Sequence, residues 1–164
     1  MSWSYKQSDL IKEYLFPRAM AVVGASNTKE KFGNLVCREL KAIDFRIFPV
    51  NPHENDIRGE RCYRTINELK CLTDRLLIVL PPRMTQQLVM TLDPEFVSYV
   101  WMQKGAESER AVMLCRKKGI NVIYGQCILM HAQPVRSYHL LHRWWVMSVN
   151  TQFNMIRRYC KGEK

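Results

Sequence analysis

Short apolar runs alternate with amphipathic stretches along most of this chain. Ala19–Val23, Arg46–Val50, Arg75–Leu80, Val97–Met102 and Asn121–Tyr124 are runs of five or six residues or fewer, rich in aliphatic and β-branched side chains. Each has the length and bounding residues of a buried strand. Between them lie stretches with apolar residues at helical spacing. Asn34–Leu35–Val36–Cys37–Arg38–Glu39–Leu40 predicts a helix running to about Ile43, Thr85–Leu92 another, and Ser108–Lys118 a third with Ser108 as its cap. A weak helix is expected near Thr65–Leu69, and a short one capped by Ser8 and ending at Leu15 precedes the first strand. Pro49 predicts that pairing of the second strand ends early, because proline cannot donate to a ladder.

Strands alternating with helices predict an α/β chain with a five-stranded, mainly parallel sheet in a three-layer, Rossmann-like fold. Right-handed crossovers then place a ligand cleft at the carboxyl ends of the strands. The unusual sequences of the first 127 residues fall at such ends: Gly24–Asn27, Asn51–His53, Pro81–Arg83, Gln103–Gly105 and Gly125–Cys127. The whole chain, 1–164, reads as a single domain with a core over about 15–128. Beyond it, Leu141, Trp145, Val149, Phe153 and Ile156 recur at three- and four-residue steps, predicting one long helix from Arg136 to Tyr159 within an extension over about 132–160. That helix would pack on the sheet or on its own copy in a homodimer.

The first βα junction carries the chemistry. A strand ending in Gly24–Ala25–Ser26–Asn27, followed by Gly33–Asn34 at the start of a helix, resembles a phosphate cradle. Helix amino ends present unpaired N–H groups and partial positive charge. A dinucleotide fold of the usual kind would show G-x-G-x-x-G and an acidic residue at the end of the second strand. This chain has Gly24-x-Ser26, and its second strand ends Val50–Asn51–Pro52–His53. The missing acid weakens NAD and suits a ribose that itself carries phosphate, as in the 3′-phosphorylated ADP head of coenzyme A. NADP stays open.

Charge changes the picture in one respect. The formal net charge is +10, which favours an anionic partner. Half of that excess lies in residues 132–164, with six cations against Glu163. A nucleic-acid surface there is the less favoured reading, since Arg157, Arg158 and Lys161 also suit a helix carboxyl end. The six cysteines form no C-x-x-C pair and read as reduced thiols of a cytoplasmic protein. No apolar run approaches membrane-spanning length, and no signal-peptide pattern is present.

A family resemblance rests on five fragments in order: Ala21–Ser26 (AVVGAS), Phe48–Pro52 (FPVNP), Gly59 with Cys62–Tyr63, Leu77–Pro82 (LIVLPP) and Val100–Gly105 (VWMQKG). Over about residues 15–128 the chain resembles CoA-binding domains. It is similar to the N-terminal domain of the succinyl-CoA synthetase alpha subunit and to small stand-alone bacterial CoA-binding proteins. The resemblance implies a protein that binds coenzyme A or a short acyl-CoA through its ADP moiety, without catalysis. Gly24, Ala25, Ser26, Asn27, Gly33 and Asn34 would face the diphosphate. Asn51, Pro52 and His53 would lie beside the 3′-phosphate end; Leu80, Pro81 and Pro82 would flank adenine; Met102, Gln103 and Gly105 would close the floor. One departure stands out. The synthetase pattern has a lysine soon after asparagine–proline, where this chain has His53 and Glu54.

No catalytic constellation stands out. Cys127, His131, His139 and His142 carry ligand-type side chains but match no zinc module, so no metal is expected. Cys127 is weighed as a thiol that could exchange with a CoA thiol, against an inert buried residue. The alternative function is an NAD(P)-binding oxidoreductase or redox sensor.

Overall fold

The computed structural model describes residues 3–28, 32–57 and 59–132. The helix expected over 136–159, its proposed dimer contact and His139 and His142 lie outside the described residues.

Helix α1 (Trp3–Leu15) precedes strand β1 (Ala19–Val23), helix α2 (Phe32–Lys41) and strand β2 (Arg46–Val50). A two-stranded antiparallel hairpin, β3 (Asp56–Ile57) and β4 (Glu60–Arg61), follows, then a 3-10 turn at Ile66–Leu69. Strand β5 (Arg75–Ile78), helix α3 (Pro82–Thr91), strand β6 (Tyr99–Gln103), helix α4 (Glu109–Lys117) and strand β7 (Asn121–Gln126) complete the sheet, ahead of a 3-10 turn at Ile128–Met130.

The five long strands are all parallel, in the order β2-β1-β5-β6-β7. Alternate residues of each strand face opposite sides. Met20, Val22, Ile47, Leu77, Trp101 and Ile123 point to one apolar layer, shared with Ile11 and Tyr14 of α1 and Val36, Cys37 and Leu40 of α2. Ala21, Val23, Phe48, Val50, Leu76, Ile78, Val100 and Met102 point to the other, shared with Val89 of α3 and Ala111, Val112 and Cys115 of α4. The sheet is thus covered on both faces, as a parallel sheet must be.

The chain runs outward from β1 to β2 and then returns to the other side of β1 to place β5. The strand order therefore reverses beside β1, and a crevice opens there at the carboxyl ends. This is the feature of the fold that positions the site.

Several boundaries differ from the sequence reading. Helix α1 begins at Trp3, so Ser8 lies inside it rather than at its cap. Helix α3 begins at Pro82, three residues before the expected start, since proline suits the first helical position. Pairing of β2 does not stop at Pro49: the register continues through Val22↔Pro49 and Val23↔Val50. The reason is that β2 is the edge strand, where a missing N–H costs no ladder bond. The Pro49 carbonyl instead accepts the Tyr63 N–H at 2.8 Å. Ser108 caps α4 as expected, its Oγ accepting the Ala111 N–H at 3.1 Å.

Candidate functional site

Gly24 ends β1 with φ at +107°, a conformation open to glycine at little cost. A Cβ there would stand 2.3 Å from the Val79 carbonyl oxygen. Gly33, in the first turn of α2, meets the same loop from the other side: its Cβ would lie 2.7 Å from the Gly24 carbonyl oxygen. The two glycines are therefore needed for backbone packing. They let β5 close on the turn after β1 and let α2 bring its amino end onto that turn.

Between them the loop is held by side chains. Asn34 is buried, at 4% exposure. Its Oδ1 accepts the Ser26 N–H at 3.0 Å and its Nδ2 donates to the Thr28 carbonyl at 2.6 Å. From the β2 side, Asn51 Nδ2 donates to the Ala25 carbonyl at 2.8 Å, while its Oδ1 accepts the His53 N–H at 2.9 Å. Ser26 is left in an unusual state. Only 6% of it is exposed, and its Oγ is buried without a hydrogen-bond partner. A hydroxyl stranded in this way normally costs stability.

Ser26 lines a cleft of about 770 Å³. Its walls come from the ends of β1 (Val23, Gly24), β2 (Val50, Asn51, Pro52, His53) and β5 (Val79, Leu80, Pro81). Phe32 and Gly33 of α2 and one face of α3 (Met84, Gln87, Leu88, Thr91) complete it. The amino end of α3, at Pro81, carries no side-chain cap. The lining is mostly apolar, and a few polar groups converge on the Ser26 side, an arrangement typical of small-molecule sites. Among the described residues that line it there is no lysine or arginine, and His53 is the one ionisable side chain.

The structure brings together eight of the residues expected from the sequence: Gly24, Ser26, Gly33, Asn51, Pro52, His53, Leu80 and Pro81. Others sit differently. Ala25 is fully buried in the core. Asn34 is a clamp behind the loop. Asn27 is exposed and bonded to Glu54. Pro82 is exposed on the first turn of α3. Met102 is fully buried between the sheet and its α3–α4 layer. Gln103 is also buried, its Oε1 accepting the Ile128 N–H at 3.2 Å. Gly105 is in the following turn, its N–H donating to Glu107 Oε2 at 2.7 Å. None of these seven lines the cleft. The α3 wall went unnoticed in the sequence. Met84, Gln87, Leu88 and Thr91 follow three- and four-residue spacing, and that stripe was the available signal.

Cys127 is buried in the core and does not line the cleft. His131 packs on the Trp101 ring at 5.7 Å and bonds Gln126 Oε1 at 3.2 Å. Among the described residues no cluster of ligand-type side chains could hold a metal ion, and no helix is long and apolar enough to cross a membrane.

With that geometry in place, likeness to known proteins becomes informative. Residues 18–133 match the family model described as a CoA binding domain. The alpha subunit of an ADP-forming acetate–CoA ligase II from Pyrococcus furiosus is 29% identical over 128 residues, which are 71% of this chain and 28% of that subunit. YneT of Bacillus subtilis, an uncharacterised protein, is 27% identical over 72% of this chain and 88% of its own length. A conserved hypothetical protein from Pyrococcus furiosus superposes with a TM-score of 0.66 at 34% identity, covering 70% of this chain and 99% of that one. The dinucleotide-forming acetyl-coenzyme A synthetase 1 of Ca. Korarchaeum cryptofilum, solved with phosphate and ADP, gives 0.59 at 26% identity, covering 68% of this chain and 26% of the synthetase. The chain thus spans little more than a quarter of these ligases.

Proposed function

The chain belongs to the CoA-binding domain family, and from that premise we propose that its cleft holds coenzyme A or a short acyl-CoA by the ADP moiety, with no chemistry of its own. The observation that carries this reading is Ser26. Its Oγ is buried, unpartnered and set at the cleft wall beside the amino end of α2. A phosphate oxygen placed there would accept from Oγ and lie in the favourable field of the helix. Likeness to CoA-dependent ligases, of which this chain spans little more than a quarter, supports the coenzyme reading.

The remaining walls fit the rest of such a ligand. Leu80 and Pro81 offer apolar surface to a base, and Asn51, Pro52 and His53 lie at the end of β2, where a ribose is read in folds of this type. His53 in its protonated form would favour a ribose phosphate. Phe32, Met84 and Leu88 give the cleft an apolar side suited to the pantetheine arm. Among the described lining residues the Ser26 hydroxyl is bonded to no base, and the proposed role is binding.

Titration calorimetry with CoA, 3′-dephospho-CoA, NADP and NAD tests the reading. CoA is expected to bind most tightly, with dephospho-CoA weaker by about tenfold, the scale of one lost charge-assisted contact. Preference for NAD or NADP over CoA would overturn it in favour of a nicotinamide-dependent protein. Native mass spectrometry of gently purified protein adds the acyl group, if one is carried through.

A further inference from the structure

The donors of Asn27 follow directly on Ser26 in the loop before α2, and both of them meet one carboxylate. The Asn27 N–H donates to Glu54 Oε1 at 3.4 Å and its Nδ2 to Glu54 Oε2 at 2.7 Å. Nδ2 also donates to the Asp56 carbonyl at 2.8 Å. Glu54 is itself anchored at the end of β2, its N–H donating to the Asn51 carbonyl at 3.4 Å. The neighbouring carboxylate of Asp56 is turned to another task, accepting the Gly59 N–H at 2.9 Å. Glu54 is thus the acid that reaches from the β2 end to the loop beside the cleft.

Resting on the reading that this loop receives a diphosphate, we infer that Glu54 is a built-in competitor of the ligand. Its carboxylate occupies donors on the loop and sets a negative charge beside the place where phosphate would bind. A carboxylate and a phosphate draw on the same kind of donor, and an ionised acceptor makes the stronger bond. A phosphate bound at Ser26 would either draw the adjoining Asn27 away from Glu54 or lie one residue along the loop from the carboxylate that Asn27 holds. The consequence is a site held at low affinity for anionic ligands, released when the Glu54 charge is removed.

The alternative, a purely structural strap, makes the opposite prediction, since loss of the strap would loosen the loop and weaken binding. Glu54→Gln separates the two, because the amide keeps an acceptor for Asn27 and deletes the charge. CoA and ADP are titrated into the wild-type chain, Glu54→Gln and Glu54→Ala at low and high salt. The expected result is about three- to tenfold tighter binding of both ligands to both variants at low salt, the gain shrinking at high salt through screening. Equal or weaker binding by Glu54→Gln would overturn the inference. A Glu54 effect on ADP without any binding of CoA would sink the coenzyme reading and leave the inference standing. Binding of CoA that ignores Glu54 would do the reverse. No binding of either ligand to any of the three proteins would overturn both.

Discussion

Asn34 grips Ser26: the buried amide oxygen takes the Ser26 N–H at 3.0 Å while the same side chain donates to the Thr28 carbonyl at 2.6 Å. One residue of α2 thereby fixes the loop that leads into its own helix. Ser26 spends its backbone donor internally and keeps its hydroxyl for the cleft. Replacing Asn34 by alanine removes two hydrogen bonds and strands a donor and an acceptor. A loss of about 2–4 kcal/mol is expected from urea unfolding, on the usual scale for buried polar groups left unpaired. A midpoint equal to that of the wild-type chain would show that the loop holds its shape without the clamp.

Ser26→Ala should separate stability from binding. The hydroxyl has no partner in the folded chain, so deleting it removes a desolvation penalty and leaves no new orphan. The unfolding midpoint should hold or rise slightly. Affinity for CoA should fall about tenfold or more, since a hydrogen bond to a charged group contributes about 1.5–3 kcal/mol. An unchanged dissociation constant in the folded variant would remove Ser26 from the site.

Gly33→Ala tests packing rather than ligand contact. The new Cβ would stand 2.7 Å from the Gly24 carbonyl oxygen, so helix and loop must separate. A cost of about 1–3 kcal/mol is expected, the usual range for overpacking. Gly59→Ala provides the contrast. That glycine sits at φ +82° with open space around it, so only the backbone term remains, about 1–2 kcal/mol. If Gly33→Ala unfolds at the wild-type midpoint, the tight approach of α2 to the β1 turn is not needed. Loss of binding in a Gly24 variant would carry little meaning, because a side chain there strikes the Val79 backbone first.

The buried thiols predict an alkaline limb. Burial pushes both Cys37 and Cys115 up to about 12 from an ordinary 9.0. Their folded-state values are raised, so the stability they contribute is full below about pH 9 and is lost as pH rises toward 12. The unfolded chain releases these protons first, which gives a slope of up to about 1.4 kcal/mol per pH unit for each thiol. Urea midpoints measured from pH 8 to 11 should fall accordingly in the wild-type chain and less steeply in Cys37→Ala or Cys115→Ala. Parallel slopes in all three would exclude these thiols as the cause. In native alkylation followed by peptide mass analysis, exposed Cys71 should react ahead of Cys37 and Cys115.

Much of the fold could be read from local pattern. Period and length identified the five parallel strands, and Ser108 announced α4. The start at Trp3 was missed because a helix can run through a residue suited to cap it, and the start at Pro82 because proline both ends a strand and opens a helix. Pro49 misled for a related reason: its meaning depends on whether β2 is an edge, which a single strand does not reveal. At the site, the strand ends converged as the topology required, since loops after parallel strands share one edge of the sheet. What stayed hidden was the direction of side chains. Asn27 and Asn34 have the composition of ligand contacts, yet one is turned to Glu54 and the other to the loop behind it. Met102 and Gln103 belong to a strand end, but β6 lies beyond β5 from the reversal point, and both side chains are buried. The Glu54 contact joins residues 27 apart and has no local signature.

The reversal of strand order beside β1 divides the chain into two trades. Every described residue lining the cleft lies between Val23 and Thr91. Strands β6 and β7, with α4 between them, supply the ballast against which that half is braced. Changes in the ballast should shift the melting temperature and leave ligand choice alone, whereas recognition can be rewritten by altering three loops without disturbing the keel. On the proposed reading a chain organised in this way should accept grafting: its first ninety-odd residues would carry the address, and the rest would be exchangeable for a hull that presents the same flank to β5.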